Sequence, residues 1–502
     1  MTPTKTECNS NCYLFGQVDH QQVVADFSGG QLTTDGGLIL IAQMDQHYRI
    51  SERLAGCFTD QRDPIRVKHP VREQIAQRLY GLVQGYADLN DHDDLRHDPI
   101  FGIAIGKLES DYPGGAPLAG KSTLNRLEQA FHVSRDLSEQ RYIKMTLEPE
   151  LIERLLVDLF IEQMKQAPKQ IILDLDVTDD PTHGEQAQAF FNGYYDHDCY
   201  APLLIFCGRH LLWSQLRPSN VDPAAGALTA LQRIIAQIRS HWPDTRIIVR
   251  GDSAYSREDI MSWCEAQNVE YVIAYASNPR LRTLTWGLEQ RAKAAYEAQR
   301  QQIEAALKPL FASTVGEAGP KPLDLKTELD RVTPPQVWYQ SVDYRTQDSW
   351  SRSRRVVCKL TYDAKGAHRH FVVTSFSPQQ VSAGKLHQDI YCPRGEMENR
   401  IKEHQLDLFS DRTSTHEFES NQLRLWWSSF AYVLMQVLRQ DCLRQTELAK
   451  AQCGTIRLKL LKIAAQIRIS VRRVVIAMSS SWPGQSLFAQ VYRRLQQLPR
   501  AG

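Results

Sequence analysis

Apolar residues recur three and four apart in VREQIAQRLYGLV (71–83) and in LIERLLVDLFIEQM (151–164), which places them along one side of a helix. Residues 1–165 therefore read as a mainly helical domain, opened by a hairpin at VVADFSGGQLTTDGG (23–37), where glycines and small polar residues mark a turn. From Gln170 the pattern changes to short runs rich in aliphatic and β-branched residues: IILDLDV, PLLIFC, LLWSQLR and RIIVRGD. Helical spacing returns between them in GALTALQRIIAQIRSHW and REDIMSWCEAQ. Strands alternating with helices predict an α/β core, its first part at 166–280. A charged helix, GLEQRAKAAYEAQRQQIEAAL, and three strand-like runs, QVWYQSVDY, RRVVCKLTY and RHFVVTSF, then predict an insertion at 281–381. The second part of the core is expected at 382–440, with helices in GKLHQDIYCPRGEMENRIKEHQLDLF and LRLWWSSFAYVLMQVLR. Residues 441–502 form a separate basic region.

Composition narrows the class. The chain has 502 residues, 42% of them hydrophobic and 23% charged, enough for several domains with sizeable cores. No run approaches the roughly 18 to 20 apolar residues of a membrane span, and MTPTKTECNSNCYLFG lacks the basic start and apolar middle of a secretory signal. A cytoplasmic protein with no membrane contact is expected, and its ten scattered cysteines are expected to be free thiols. The net charge of +1 hides an asymmetry: residues 1–165 hold 17 Lys and Arg against 24 Asp and Glu, whereas 441–502 hold 11 against 2. A basic tail on a neutral chain suggests contact with a polyanion.

Three motifs suggest chemistry that their surroundings do not support. GAPLAGKS (115–122) has the glycine, lysine and serine spacing of a phosphate-binding loop, but GKLESDYPG before it is no buried strand. Ser122 or Thr123 is better read as the N-cap of a helix through STLNRLEQAF. The cluster DHDDLRHD (91–98) has metal-type residues, and a polar turn between helices accounts for it. Asp174-Leu-Asp176-Val-Thr178 resembles the nucleophile motif of haloacid dehalogenase-like phosphatases, with Asp174 as the phosphorylated residue. That family's later Gly-Asp is followed four residues on by another Asp, where this chain has Ser256.

A third grouping of acids is more coherent. Asp176 and Asp252 each end an apolar strand of one core, and ends of neighbouring strands lie side by side. In YCPRGEMENRIKEHQ, residues Tyr391, Arg394, Glu398, Lys402 and Gln405 fall three or four apart and share a helix face. The order Asp176, Asp252, Glu398, with a strand-rich insertion before the third, resembles the DDE transposases of bacterial insertion sequences. Tyr391-x2-Arg394-x3-Glu398 is similar to the tyrosine-arginine-glutamate-lysine signature of the insertion-sequence 4 type group. FSGGQLTTDGGL, HGEQ, RGDSAY and YCPRGEMENRIKE resemble insertion-sequence family 1380, and the resemblance runs from Phe27 into the tail. The signature's final lysine would fall on Gln405, with Lys402 one turn earlier.

The resemblance implies an RNase H-like catalytic core of mixed sheet and flanking helices, interrupted by the β-rich insertion. It also implies metal-dependent cleavage and strand transfer at the terminal inverted repeats of an insertion sequence. Two Mg2+ or Mn2+ ions would be held by Asp176 as bridging ligand, Asp252 and Glu398, with Asp174 as the alternate to Asp176; carboxylates suit such hard cations. Expected DNA contacts are Tyr391, Arg394, Lys402, Arg354 and Arg355, together with tail cations such as Arg457, Lys462, Arg472 and Arg473. The helical front domain is expected to bind DNA, and a homodimer would hold double-stranded transposon ends and target DNA. A DNA-binding relative that has lost cleavage is the alternative; the presence of all three acids speaks against it.

Overall fold

The computed structural model describes residues 12–108, 117–131, 144–312 and 325–499. The chain forms two compact units, one of residues 153–402 and one that joins 1–152 to 403–502.

The 153–402 unit is built on an eight-stranded mixed sheet. Its strands are β1 (Gln170–Val177), β2 (Leu203–Cys207), β3 (His210–Gln215), β4 (Arg246–Gly251), β5 (Glu270–Tyr275), β6 (Gln336–Tyr344), β7 (Arg354–Asp363) and β8 (Gly366–Thr374), in the spatial order β3-β2-β1-β4-β5-β8-β7-β6. The central strands β1, β4 and β5 are parallel and the flanking pairs antiparallel. Side chains alternate across a strand. One face presents Leu173, Leu175, Ile247, Val249 and Ile273 to helices α1 (Ala227–His241) and α2 (Glu258–Ala266). Ile234, Ile235 and Ile238 of α1 and Ile260 and Met261 of α2 close that core. The opposite face presents Ile172, Ile248, Val272, Val357 and Val372 to Phe376, Leu386 and Ile390. Both faces are covered, so these strands read as nearly continuous apolar runs.

The expected insertion extends this same sheet. After helix α3 (Trp286–Ala312), β8 pairs with β5, Val272 opposite Thr374, and β7 and β6 continue outward. Its strands were legible, but their partner was not, because the pairing joins residues about a hundred positions apart.

In the other unit, the helix Phe418–Asp441 is buried on almost every side and packs against the helix Val71–Gln84. Residues 403–440, expected to complete the sheet-bearing core, thus pack with the N-terminal segment. Polar groups in this core are paired: Arg439 with Glu403, and Arg424 with Glu128 at 2.7 Å. The tail is also structural here. Its strand Ala465–Ile469 pairs with Val474–Met478 and with Leu32–Thr33. Arg457 donates to the Val83 carbonyl, and Lys462 lies 2.6 Å from buried Asp35. The opening hairpin lies earlier than expected, pairing Tyr13–Val18 with Gln21–Ala25 through Asp19 and His20, both at positive φ. GGQLTTDGG instead carries the chain into the strand Leu32–Thr33 and the helix Leu38–Tyr48.

The helix at Lys121–Glu128 has neither Ser122 nor Thr123 as its cap; the Asp93 carboxylate accepts from Lys121 N at 3.0 Å and takes that role. This uses one acid of the 91–98 cluster, while His92 is buried against Gln77. The first residues of GAPLAGKS lie outside the described residues, as does Cys8; the nine described cysteines are free thiols. No described helix is long and apolar enough to cross a membrane.

Candidate active site

Strands β1 and β4 run parallel, with Asp174 opposite Arg250 and Leu175 opposite Gly251. Asp176 and Asp252 each lie one residue beyond the last paired residues of this register. Beyond β4 the chain turns tightly through Ser253–Tyr255, and the Asp252 side chain accepts from Ala254 N at 2.9 Å. Gly251 permits this turn: a Cβ there would lie 2.8 Å from the ring of Tyr255, which is fully buried.

The third acid arrives on an irregular segment. Ala383–Lys385 is a single helical turn, Leu386–Tyr391 widens to i→i+5 bonding, Cys392–Arg394 tightens at Pro393, and α4 (Gly395–Lys402) is regular. The expected continuous helix is thus re-aimed just before Glu398. Arg250 anchors the segment. Its guanidinium makes two bonds to Asp174, at 2.5 and 2.7 Å, and donates a third to the Ile390 carbonyl. Asp174 and Arg250 are both almost fully buried. Burial lifts the Asp174 carboxyl above its ordinary range, with Arg250 opposing that.

Asp176, on the same face as Asp174 and nearer the strand end, is 2.7 Å from Arg394. Burial pushes its carboxyl up to about 6; the negative charges of Asp252 and Glu398 add to this, while Arg394 and the N–H of Val177 work against it. Asp176 therefore senses one carboxylate from beyond the neighbouring strand and another from α4. Glu398 and Lys402 are exposed on α4, four residues apart. Tyr391 packs against His370, ring centroids 4.9 Å apart, and senses the charges of Arg394 and Asp252.

This donor set is all oxygen, which suits a hard divalent cation rather than zinc or iron. Among the described residues no three acidic, histidine or cysteine side chains are gathered closely enough to hold an ion. The positive group against Asp176 is Arg394.

Arg354 and Arg355 depart from the expectation of DNA contact. Arg354 is 4% exposed and is held by Glu258 and Glu265 at 2.6 and 2.7 Å. Arg355 is 8% exposed and donates to Ser341 and to the carbonyls of Phe376 and Val381. Sequence reasoning missed Arg250 and Tyr255. The available signal was an arginine inside the apolar run RIIVRGD, which needs a buried acid opposite it.

The family model described as transposase DDE domain group 1 matches residues 15–500. No curated protein matches the chain. Among solved structures, a piggyBac transposase synaptic complex with hairpin DNA is similar at 9% identity and a TM-score of 0.39, over 93% of this chain and 83% of that one. A Mos1 transposase paired-end complex with the left transposon end is similar at 11% identity and a TM-score of 0.16, over 36% and 55%.

Proposed function

The chain belongs to the DDE transposases, in the group whose domain spans almost its whole length, and from that premise we propose that Asp176, Asp252 and Glu398 form the site at which it cuts and joins DNA. The observation that supports this reading is that Asp176, on a strand parallel to the one that leads into Asp252, is paired with Arg394 and senses the charges of Asp252 and Glu398. The core is read as RNase H-like, and its substrate as double-stranded DNA at the terminal inverted repeats of an insertion sequence of the 1380 type.

Asp176, Asp252 and Glu398 would hold two Mg2+ or Mn2+ ions, which when bound supply an activated water or 3′-hydroxyl and stabilise the leaving oxygen. Asp176 is preferred to Asp174 as ligand because both oxygens of Asp174 are engaged by Arg250. The same bidentate pair opposes the phosphatase reading, which needs Asp174 free to attack. Asp174 and Arg250 position the segment that carries Arg394 and Glu398. Arg394 keeps a cation against Asp176 and, once released, can turn its planar fork to a DNA phosphate. Lys402, exposed one turn beyond Glu398, is the second phosphate contact proposed here. Homodimerisation would bring two element ends together.

The test is a cleavage assay on DNA carrying the element end, with metal as the variable. Mg2+ or Mn2+ should support cleavage and Ca2+ binding alone, since in-line transfer demands tight octahedral geometry. Full cleavage in EDTA contradicts the reading.

A further inference from the structure

In the unit that joins the two ends of the chain, the strand Phe58–Asp60 pairs with Met145–Leu147, and the loop that follows it bends back over the helix Lys121–Glu128. Between them lies a cleft of about 780 Å³. Arg62, Arg66, Lys68, Arg126 and Lys144 line it, and Asp63 is the acid among its described lining residues. Arg62 is matched by Asp60 at 2.6 Å and Arg66 by Asp63 at 3.4 Å. Lys68, Arg126 and Lys144 are exposed and form no ion pair with another described residue.

The loop is held in place. Gln74 and Arg62 both donate to the His69 carbonyl, at 2.7 and 3.3 Å. Lys107 donates to the Lys68 carbonyl at 2.9 Å and pairs with Glu73. Lys144 is fixed beside it, its carbonyl accepting from Gln61 N at 2.7 Å. Arg62 serves the brace, whereas Lys68, Arg126 and Lys144 repel one another on that frame with no described acid paired to them. The local field is registered by His69, whose imidazole is pushed down to about 4 by burial and then by Lys107, Lys68 and Arg62. At the tip of the loop, the turn Pro64–Arg66 leaves Ile65 95% exposed beside Arg66, an apolar point on a cationic surface of the kind that enters a DNA groove.

We propose that this cleft is a binding site for the phosphate backbone of duplex DNA, with Lys68, Arg126 and Lys144 as its phosphate contacts. The choice of DNA rests on the transposase reading; the anion site rests on the cleft itself. It also assigns the DNA contact of an N-terminal segment whose overall balance is acidic: the positive charge is gathered in one place rather than spread.

The test measures binding of the full chain to a short mixed-sequence duplex against salt concentration. A double variant, Lys68→Gln with Lys144→Gln, should lower the slope of log affinity against log salt by about 2, at roughly 0.9 per phosphate contact. A control that removes two exposed lysines of α3, Lys293→Gln with Lys308→Gln, should leave the slope unchanged. On the unaltered protein, Lys68 and Lys144 should be protected from acetylation when the duplex is bound. An unchanged slope, or lysines that stay reactive in the complex, overturns the proposal. Binding and cleavage are read separately. A wild type that binds through these lysines yet cuts no DNA contradicts the transposase reading alone, and intact cleavage with an unchanged slope contradicts the cleft alone.

Discussion

Two aspartates two positions apart on one strand illustrate how placement decides the role of a residue. Asp174 and Asp176 share a face of β1, yet Asp174 is closed in by Arg250 whereas Asp176 lies at the strand end among like charges. Removing one partner of a buried pair leaves the other charge uncompensated, so Asp174→Ala should destabilise the protein by about 3 to 5 kcal/mol. Asp176→Asn relieves crowding with Asp252 and Glu398 but removes the charge that faces Arg394, and should abolish cleavage while costing less stability than Asp174→Ala. Urea denaturation of both variants checks this; equal losses of stability would contradict the division of roles. The three acids stand out in the sequence because carboxylates at the ends of apolar strands are unusual and their order resembles that of a known family. The state of an arginine was not legible. Arg354, Arg355 and Arg394 look alike as letters, and only the fold shows two bound internally and one set against Asp176.

At the scale of elements, sequence pattern served best where burial is two-sided. The runs at β1, β2 and β4 are apolar because helices or packed segments cover both faces, and they were found where they were expected. It served least where long-range contacts decide local geometry. The segment 383–402 carries helical spacing, but its widened turn and its tight turn at Pro393 are set by the Arg250 bond to Ile390 and by packing of Leu386 against the sheet. The spacing from Tyr391 to Glu398 is therefore not that of one ideal helix, although Arg394 lies against Asp176 and Asp176 senses the charge of Glu398. The basic tail shows the same limit: its charge suggested an arm for DNA, whereas Arg457 and Lys462 are turned inward and its strands complete a small sheet.

For the whole molecule, stability and chemistry respond to different groups. His92 and His404 are fully buried in the unit that joins the chain ends, and burial holds both imidazoles down at about 3. Above about pH 6.5 both are neutral folded or unfolded and favour neither state. As pH falls below that value the unfolded chain takes up protons that the folded one refuses, so stability declines until the folded values are reached. Each histidine contributes a loss of about 1.4 kcal/mol per pH unit in that window. Thermal melting should accordingly be level from pH 8 to 7 and fall between about 6.5 and 4; a level profile through pH 5 would contradict the assignment. The central claim is that this fold assembles Asp176, Asp252 and Glu398 into one site that cuts DNA, and a pair of variants tests it most directly. Glu396, 70% exposed on its side chain, pairs with Arg400 at 3.0 Å, on a different face of α4 from Glu398. End cleavage and strand transfer by Glu398→Gln should fall by several orders of magnitude, with DNA binding and melting temperature retained, while Glu396→Gln cuts at close to the wild-type rate. Cleavage retained by Glu398→Gln, or lost only in Glu396→Gln, would contradict the account.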